Sequence, residues 1–240
     1  MVDPRTSVIN QRLKRIGRII AVSSGKGGVG KSLVATTLAL SLAKKGCKVG
    51  LFDLDFTSPS THLLLGVTNE QPREEKGLIP PTVQGMEYMS LVYYSSGEAA
   101  PLRGADTSNV LIELLAVTLW SDLDFLVLDM PPGIGDAVLD LIRLVPRIEF
   151  LVVSTSSQLA FETVKKLVSL LQELNVSLVG VVENMKMTDS RNVQRQTEAF
   201  GIKFLGEISY DAEIEGAIGK PDELLCTVLG RKIKEIAQTL

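Results

Sequence analysis

Seven short apolar runs recur along the 240-residue chain, each ended by turn-forming residues. Continuous Val, Ile and Leu runs of this length are typical of strands buried on both faces, as in a parallel sheet. The predicted strands are "RIIAVSS" (18–24), "CKVGLFDLD" (47–55), "MEYMSLVYY" (86–94), "DFLVLDMP" (124–131), "EFLVVSTS" (149–156), "LVGVVENM" (178–185) and "KFLGEIS" (203–209).

Four of the intervening segments place apolar residues at three- and four-residue spacing, the pattern of amphipathic helices. They are "KSLVATTLALSLAKKG" (31–46), "SNVLIELLAVTLW" (108–120), "LAFETVKKLVSLLQELN" (159–175) and "LLCTVLGRKIKEIAQTL" (224–240). The alternation of strand and helix predicts a single doubly wound α/β domain on a mostly parallel sheet of about seven strands. The least regular stretch, 66–85, is predicted to be a surface excursion within that domain.

The stretch "SSGKGGVGKS" (23–32) contains the phosphate-binding pattern G-x-x-x-x-G-K-[ST]. It lies where the first predicted strand passes into the first helix, and ligands of parallel sheets bind at that end of the strands. Lys31 can reach the β- and γ-phosphates, and the Ser32 hydroxyl can ligate magnesium. The alternative is a glycine-rich turn without a ligand. The loop residues predicted to bind ATP or ADP with Mg²⁺ are Gly25, Lys26, Gly27, Gly28, Val29, Gly30, Lys31, Ser32 and Leu33.

Two predicted strands end in carboxylates. "LFDLDFTSPS" (51–60) carries Asp53 and Asp55, and "LVLDMPPGIGD" (126–136) carries Asp129. Burying a carboxylate is costly unless it has a partner. Asp129 fits the Walker B position, which holds magnesium through water, and Gly133 is free to approach a γ-phosphate. The alternative for Asp129 is an acidic strand cap, and the alternative for Asp53 and Asp55 is a strand-end turn former. We expect at most one of Asp53 and Asp55 to face the nucleotide.

These motifs resemble the SIMIBI class of P-loop ATPases, and within it the Mrp/ApbC branch, which is related to MinD and ParA. The likeness rests on "IAVSSGKGGVGKS", "DLDFTSPS", "LDMPPGIGD" and "VENM" in that order, and on "PLRGADTSNVLIELLAVTLWSDLDFLVLD". It runs from about Ile19 to Tyr210. The resemblance implies a P-loop ATPase domain at 18–240 after an N-terminal helical extension at 1–17, with ATP turnover that is slow without a partner.

The resemblance also implies roles for single residues. Lys26 corresponds to the signature lysine, which crosses a homodimer formed through the nucleotide face and contacts the phosphates held by the other subunit. Asp55 is implied to orient the attacking water, Asp53 to belong to the same switch and Asn184 to bond adenine. The implied catalytic residues are Lys26, Lys31 and Asp55. The alternative for Lys26 is a solvated loop lysine, and the alternative for Asn184 is an ordinary strand-end turn residue.

The chain departs from the branch after "ENM". Members that carry iron-sulfur clusters place a C-P-x-C motif there, whereas this chain reads "VENMKMTDSRNVQRQTEAFG" without a cysteine. A bridging cluster needs four thiolates. Because Cys47 and Cys226 are far apart in the sequence and in no ligand motif, we expect no iron-sulfur cluster on this chain.

Three functions fit these observations. The first is a dimeric ATPase switch that assists assembly of iron-sulfur or other metal-cofactor proteins, with an unidentified client or activating protein. The second is a MinD/ParA-like positioning ATPase whose ATP-bound dimer binds a membrane or DNA, supported by the basic amphipathic "LGRKIKEIAQTL". The alternative for this segment, which we favour, is a solvated helix that packs on the sheet by its apolar face. The third is a nucleotide-binding regulator with negligible turnover.

Composition bears on the choice between these functions. The net charge of -3 provides no overall electrostatic attraction to nucleic acid or to an anionic membrane. The first 20 residues show no secretory signal pattern. We therefore expect a cytoplasmic location and neither nucleic acid nor membrane as a partner.

Overall fold

The computed structural model describes residues 5–94, 105–145 and 147–240, with backbone alone at 105 and 106. Residues 1–4 of the predicted extension and "PLRG" (101–104) lie outside this description. The described strands are β1 (Ile16–Ser24), β2 (Val49–Asp53), β3 (Arg73–Glu74), β4 (Leu78–Ile79), β5 (Thr82–Val83), β6 (Met86–Ser90), β7 (Leu123–Asp129), β8 (Ile148–Thr155), β9 (Ser177–Lys186) and β10 (Phe204–Ser209). The described helices are α1 (Arg5–Leu13), α2 (Lys31–Lys44), α3 (Thr61–Leu65), α4 (Ala105–Val117), α5 (Asp136–Leu144), α6 (Gln158–Glu173), α7 (Asn192–Ala199), α8 (Pro221–Cys226) and α9 (Val228–Gln238).

An eight-stranded sheet, counted over the described residues, forms the middle layer in the order β10-β9-β8-β1-β7-β2-β6-β5. Neighbouring strands are parallel except for β5, which pairs antiparallel with β6. The predicted fold class is confirmed. The count exceeds seven because the 66–85 excursion contributes the two-residue β5 to the sheet edge, and it also forms the separate β3–β4 hairpin.

The centre of the sheet is the point where the strand order reverses direction. Strand β1 lies between β8 and β7, and the chain crosses from β1 past β7 to reach β2. The register pairs Val22 of β1 with Asp129 of β7, and Asp129 with Asp53 of β2. The carboxyl ends of three neighbouring strands therefore meet beside the loop that follows β1, which is where open α/β sheets bind ligands.

Helices cover both faces of the sheet. On one face the apolar core joins the sheet to α2, α8 and α9, and α2 is apolar on nearly all sides because the sheet and α9 both cover it. On the other face the core joins the sheet to α1 and α4–α7. Helix α1 buries Ile9 and Leu13 there and contacts α4. The division of the chain at residue 17 stays a prediction.

Two predicted elements differ from those in the structure. The predicted strand 86–94 stops at Ser90, and residues 91–94 form a 3₁₀ helix instead. The predicted C-terminal helix is two helices, because the Thr227 hydroxyl donates to Leu224 O at 2.7 Å and accepts from the Gly230 N–H at 3.0 Å. Thr227 thus closes α8 and caps α9. No helix in the part of the chain described is both long and apolar enough to span a membrane.

Candidate nucleotide-binding site

The loop between β1 and α2 needs glycine at both ends of its motif. Gly30 has a φ of +80°, and a Cβ there would lie 2.3 Å from Asn184 Nδ2. Gly25 lies against α6, where a Cβ would lie 2.3 Å from Thr163 Oγ1 and 2.6 Å from the Thr163 carbonyl carbon. Larger residues would push the loop away from β9 and α6, so these glycines set the loop's position.

Three hydrogen bonds hold the loop in shape. The Ser24 hydroxyl donates to Lys26 O at 2.9 Å, and the Gly133 N–H donates to Ser24 O at 2.9 Å. From β9, Asn184 Nδ2 donates to Val29 O at 3.0 Å. The loop is therefore connected to the ends of β7 and β9 as well as to β1.

The Lys31 side chain is buried among oxygen atoms at the start of α2, with 6% of the residue exposed. Its Nζ donates to Ser32 Oγ at 3.2 Å, contacts Asp129 Oδ1, and lies 3.6 Å from Asp55 Oδ2. Asp129 is fully buried, and its Oδ2 has no hydrogen-bond partner among the described residues. One ammonium group therefore faces two carboxylates, one of which keeps an unused oxygen.

Burial shifts the protonation of the acidic residues. Burial raises the pKa of Asp129 to about 7, against the opposing effect of the Lys31 charge and with a further raising effect from Asp53. Burial also raises the pKa of Asp53, and hydrogen bonds from Thr61 oppose that rise. Several carboxylates around one lysine leave the site short of positive charge, which favours binding of a cation.

Asp55 lies beyond the end of β2, in the turn that leads to α3. Its Oδ1 accepts from the Thr57 hydroxyl at 2.8 Å, the Thr57 N–H at 3.3 Å and the Ser58 N–H at 3.2 Å. Its Oδ2 faces Lys31. Asp53 instead accepts from the Thr61 hydroxyl at 2.6 Å and from the Asp55 N–H at 3.1 Å. Of the two carboxylates, Asp55 lines the cavity that opens over the glycine loop, and Asp53 does not.

A cavity of about 430 Å³ opens over this loop, within the size range of small-molecule sites. The predicted residues that line it are Lys26, Gly27, Gly28, Gly30, Lys31, Ser32, Leu33 and Asp55. The predicted residues that do not line it are Gly25, Val29, Asp53, Asp129 and Asn184. Asn184 is 2% exposed and its amide is bonded to the loop, so its predicted contact with adenine stays a prediction.

A second cavity, of about 490 Å³, lies between α2, α8 and α9 and is lined by Lys44, Lys45 and Lys234 among others. It is slightly larger, but it has no glycine loop and no buried carboxylate. Cys226 lines it together with Lys44 and Lys45, and the Cys47 N–H donates to Leu42 O near the same end of α2. Both thiols are free, and both lie near the C-terminal end of α2, whereas the glycine loop precedes its N-terminal end. The glycine loop and the buried carboxylates, and not the volume, therefore identify the first cavity as the candidate site.

The oxygen donors near Lys31 suit magnesium. Magnesium prefers oxygen ligands and usually takes one or two from protein carboxylates or hydroxyls, with the rest from phosphates and water. Asp129 Oδ2 and the Ser32 hydroxyl meet that need, because the former is buried without a partner. The described residues contain no cluster of three or more His, Cys, Asp or Glu that could hold a metal ion by itself.

Lys26 projects from the exposed part of the loop. No ion pair or hydrogen bond of its ammonium is found among the described residues. The same edge of the sheet carries exposed apolar side chains, among them Ile134 at 42%, Leu159 at 76% and Met187 at 75%. Because they are exposed at the edge that carries the candidate site, we treat this edge as a candidate interaction surface.

Sequence reasoning missed four polar residues that support Asp53 and Asp55: Thr57, Ser58, Thr61 and Tyr88. The first two follow Asp55 closely, and an Asx-type turn was a readable signal for them. Tyr88 is 27 residues from Thr61 and comes near only because β6 pairs with β2. No local pattern indicates that contact.

Residues 15–228 match the ParA family described as NUBPL iron-transfer P-loop NTPase. The chain belongs to this family of P-loop NTPases. It is 41% identical over 189 residues to the iron-sulfur cluster carrier protein of Escherichia coli K12, a match covering 78% of this chain and 51% of that protein. It is 38% identical over 193 residues to the protein of the same name from Pseudomonas fragi, covering 79% and 67%. The predicted Mrp/ApbC-type resemblance is thereby confirmed.

Further relatives extend the comparison. The chain is 44% identical over 176 residues to the chloroplastic Fe-S cluster assembly factor HCF101 of Arabidopsis thaliana, covering 72% of this chain and 33% of that protein. The chain thus spans between one third and two thirds of the length of these three relatives. A nucleotide-binding protein from Archaeoglobus fulgidus, solved with ADP, superposes with a TM-score of 0.74 at 30% identity, covering 96% and 92%. The cell division ATPase MinD of Pyrococcus furiosus, at 20% identity and a TM-score of 0.71 over 92% and 97%, shares the fold.

Proposed function

We propose that the chain is a magnesium-dependent ATPase that works as a homodimeric switch in the assembly of iron-sulfur or other metal-cofactor proteins. The observation that carries the ATPase part is the Lys31 ammonium group, buried beside Asp129, Asp55 and Ser32 below a glycine loop. The assembly role is supported by the relatives named iron-sulfur cluster carrier and Fe-S cluster assembly factor.

The loop and Lys31 bind the triphosphate in this proposal. Main-chain N–H groups of residues 27–32 and the positive end of the α2 dipole attract phosphate oxygens. The Lys31 ammonium exchanges its contact with Asp129 for the phosphates, because a triphosphate in the cavity brings more negative charge to it. Asp129 and the Ser32 hydroxyl are the residues that would hold magnesium, which when bound would neutralise charge on the phosphates.

Asp55 orients the attacking water. Three donors from Thr57 and Ser58 occupy its Oδ1, so that its Oδ2 is the oxygen left to accept a hydrogen bond from water. That oxygen lies 3.6 Å from Lys31 Nζ, and a phosphate bound by the ammonium would therefore lie beside it. A water held there is positioned for attack on the terminal phosphate.

Lys26 and the exposed apolar edge support a dimer through the nucleotide face. A second copy covering Ile134, Leu159 and Met187 would remove their apolar surface from water and bring its own Lys26 toward the first copy's phosphates. A positive charge supplied in this way stabilises charge on the transferring phosphoryl group. Dimer closure is then coupled to ATP occupancy.

The cluster is cargo in this proposal and is held by a client or activating protein. Cys47 is half-buried and Cys226 is exposed, and both are remote from the nucleotide edge, so the chain acts as the switch. The expected cytoplasmic location, and the absence of nucleic acid and membrane as partners, stay predictions.

The packing of α9 favours this function over a positioning ATPase. Leu229 and Ile233 are fully buried and Ile236 is 3% exposed, because the apolar face of α9 packs on α2 and the sheet. The helix therefore offers no apolar face to a lipid surface. Co-sedimentation with anionic vesicles and with DNA tests this: pelleting that requires ATP would support the positioning alternative.

Phosphate release and genetic complementation test the proposed function. Purified protein should release phosphate from ATP only with magnesium, and a rate per chain that rises with protein concentration would reflect dimerisation. In cells that lack the chain, iron-sulfur enzyme activity should fall and be restored by the wild type but not by Lys31→Met. Absence of nucleotide binding and turnover in a folded sample would overturn the ATPase proposal, and unchanged iron-sulfur enzyme activity would overturn the role in iron-sulfur protein assembly.

A further inference from the structure

The position of Asp55 depends on a turn that the sheet does not hold by itself. Strand β2 ends at Asp53, and residues 54–60 have no regular secondary structure before α3 begins. The strand end is anchored by the Leu54 N–H, which donates to Asp129 O at 2.9 Å. Beyond that bond, the turn has a local backbone bond from the Phe56 N–H to Leu54 O at 3.1 Å, and the Asp55 carboxylate accepts from donors of the same turn. The position of the turn relative to the sheet therefore depends on side chains that join its two ends.

Asp53 closes this turn from inside the protein. It is 1% exposed. Its Oδ1 accepts from the Asp55 N–H at 3.1 Å, and its Oδ2 accepts from the Thr61 N–H at 3.2 Å and the Thr61 hydroxyl at 2.6 Å. One carboxylate thereby joins both ends of the turn, and the two backbone donors favour its ionised form.

Thr61 and Tyr88 hold the Asp53 carboxylate in place. The Thr61 hydroxyl has one hydrogen, which it donates to Asp53, so the Tyr88 hydroxyl at 2.9 Å is the donor to Thr61 Oγ1. Burial raises the pKa of Tyr88, which keeps the phenol protonated and able to donate. Both Thr61 and Tyr88 are fully buried.

The sheet register brings this phenol to Asp53. Tyr88 pairs with Leu51, two residues before Asp53 on β2, so Tyr88 and Asp53 share one face of the sheet as diagonal neighbours. The Tyr93 ring packs edge-on against Tyr88 at 5.9 Å between centroids and restricts its movement. Neither Thr61 nor Tyr88 lines the nucleotide cavity.

We propose that Thr61 and Tyr88 are positioning residues for Asp55: the chain of contacts from Tyr88 through Thr61 to Asp53 fixes the turn that aims the Asp55 carboxylate at the water. This inference rests on the proposed function, because it concerns the step assigned to Asp55. Loss of the Thr61 hydroxyl leaves the cavity lining intact and loosens the turn. Hydrolysis therefore slows while ATP affinity is unchanged.

The test measures single-turnover ATP hydrolysis and the affinity for a fluorescent ATP analogue. Thr61→Val should slow hydrolysis about 10-fold, since small misplacements of a catalytic group have effects of this order or larger, and affinity should stay within about twofold. Thr61→Ser, which keeps the hydroxyl, should restore the rate. Tyr88→Phe should slow hydrolysis by a smaller factor. If Thr61→Val does not fold, Tyr88→Phe decides the question in the same assay.

A matched control and a double variant separate positioning from general destabilisation. Thr118 is also fully buried, and its hydroxyl donates to Leu114 O at 2.6 Å in α4, with no link to Asp55. Thr118→Val should therefore hydrolyse ATP at the wild-type rate. On an Asp55→Ala background, Thr61→Val should cause no further slowing, because both changes act on the same group.

The possible results distinguish the two proposals. Wild-type hydrolysis by Asp55→Ala would contradict the proposed function. If Asp55→Ala is slow but Thr61→Val hydrolyses ATP at the wild-type rate, the positioning inference alone is overturned. If Thr61→Val does not fold, a wild-type rate in Tyr88→Phe has the same meaning. Failure of Thr61→Ser to recover, or equal slowing by Thr61→Val with and without Asp55, would overturn it as well.

Discussion

Replacement of Lys31 by methionine removes a buried positive charge that the site offers to a triphosphate. A hydrogen bond to a charged group contributes about 1.5–3 kcal/mol. If the ammonium bonds one oxygen on each of two phosphates, its loss weakens ATP binding by about 3–6 kcal/mol, or roughly 10²–10⁴-fold in affinity. Tight ATP binding should therefore be abolished.

The same substitution leaves Asp129 buried beside an apolar group. Breaking a buried ion pair by removing one partner destabilises a protein by about 3–5 kcal/mol, so Lys31→Met must be shown to be folded before its affinity is interpreted. Circular dichroism and thermal melting supply that check. The double variant Lys31→Met/Asp129→Asn removes both charges and should melt at a higher temperature than Lys31→Met while still failing to bind ATP.

Calorimetric titration with a non-hydrolysable ATP analogue and magnesium measures the affinity. Lys26→Ala is the matched control, because it removes an equal charge from an exposed position of the same loop. It should bind within about threefold of the wild type. A folded Lys31→Met protein with an affinity in that same range would refute the assignment of Lys31 to the phosphates.

The other predictions concern the remaining steps. Lys26→Ala should bind ATP but remain monomeric with the analogue, as measured by light scattering, and should not hydrolyse ATP; ATP-dependent dimerisation of this variant would contradict the trans role. Asp55→Ala should bind ATP and dimerise, with phosphate release about 100-fold slower; an equal loss of binding would place Asp55 with Lys31 instead. Anaerobic incubation with iron and sulfide should leave no stoichiometric cluster on the chain, and a stable absorbing cluster with matching iron content would show that this chain carries ligands of its own.

The sheet and the loop could be predicted because their signals are local. Buried strands appear as continuous apolar runs, and the carboxyl ends of parallel strands meet at one edge, so Asp53 and Asp129 were expected beside the glycine loop. The observed register places these two residues side by side. The ends of elements were harder to predict. The apolar spacing continues across Thr227, so the sequence predicts one helix where the structure has α8 and α9. The break is explained by the hydrogen bonds of the Thr227 hydroxyl, which only the structure shows.

The supporting contacts of the site could not be predicted because they depend on strand pairing. Tyr88 reaches Thr61 through the register of β6 on β2. Asn184 reaches the Val29 carbonyl only because β9 and the loop meet at the same edge. In both cases the sequence shows an ordinary strand residue, and its partner is defined by the fold.

A crystal structure with magnesium and a non-hydrolysable ATP analogue tests the central claim most directly. The account predicts a closed pair of chains, with the triphosphate against the main-chain amides of residues 27–32 and Lys26 of the partner subunit in contact with its phosphates. A loop without nucleotide at saturating analogue, or a closed complex in which Lys26 points into solvent, would contradict it.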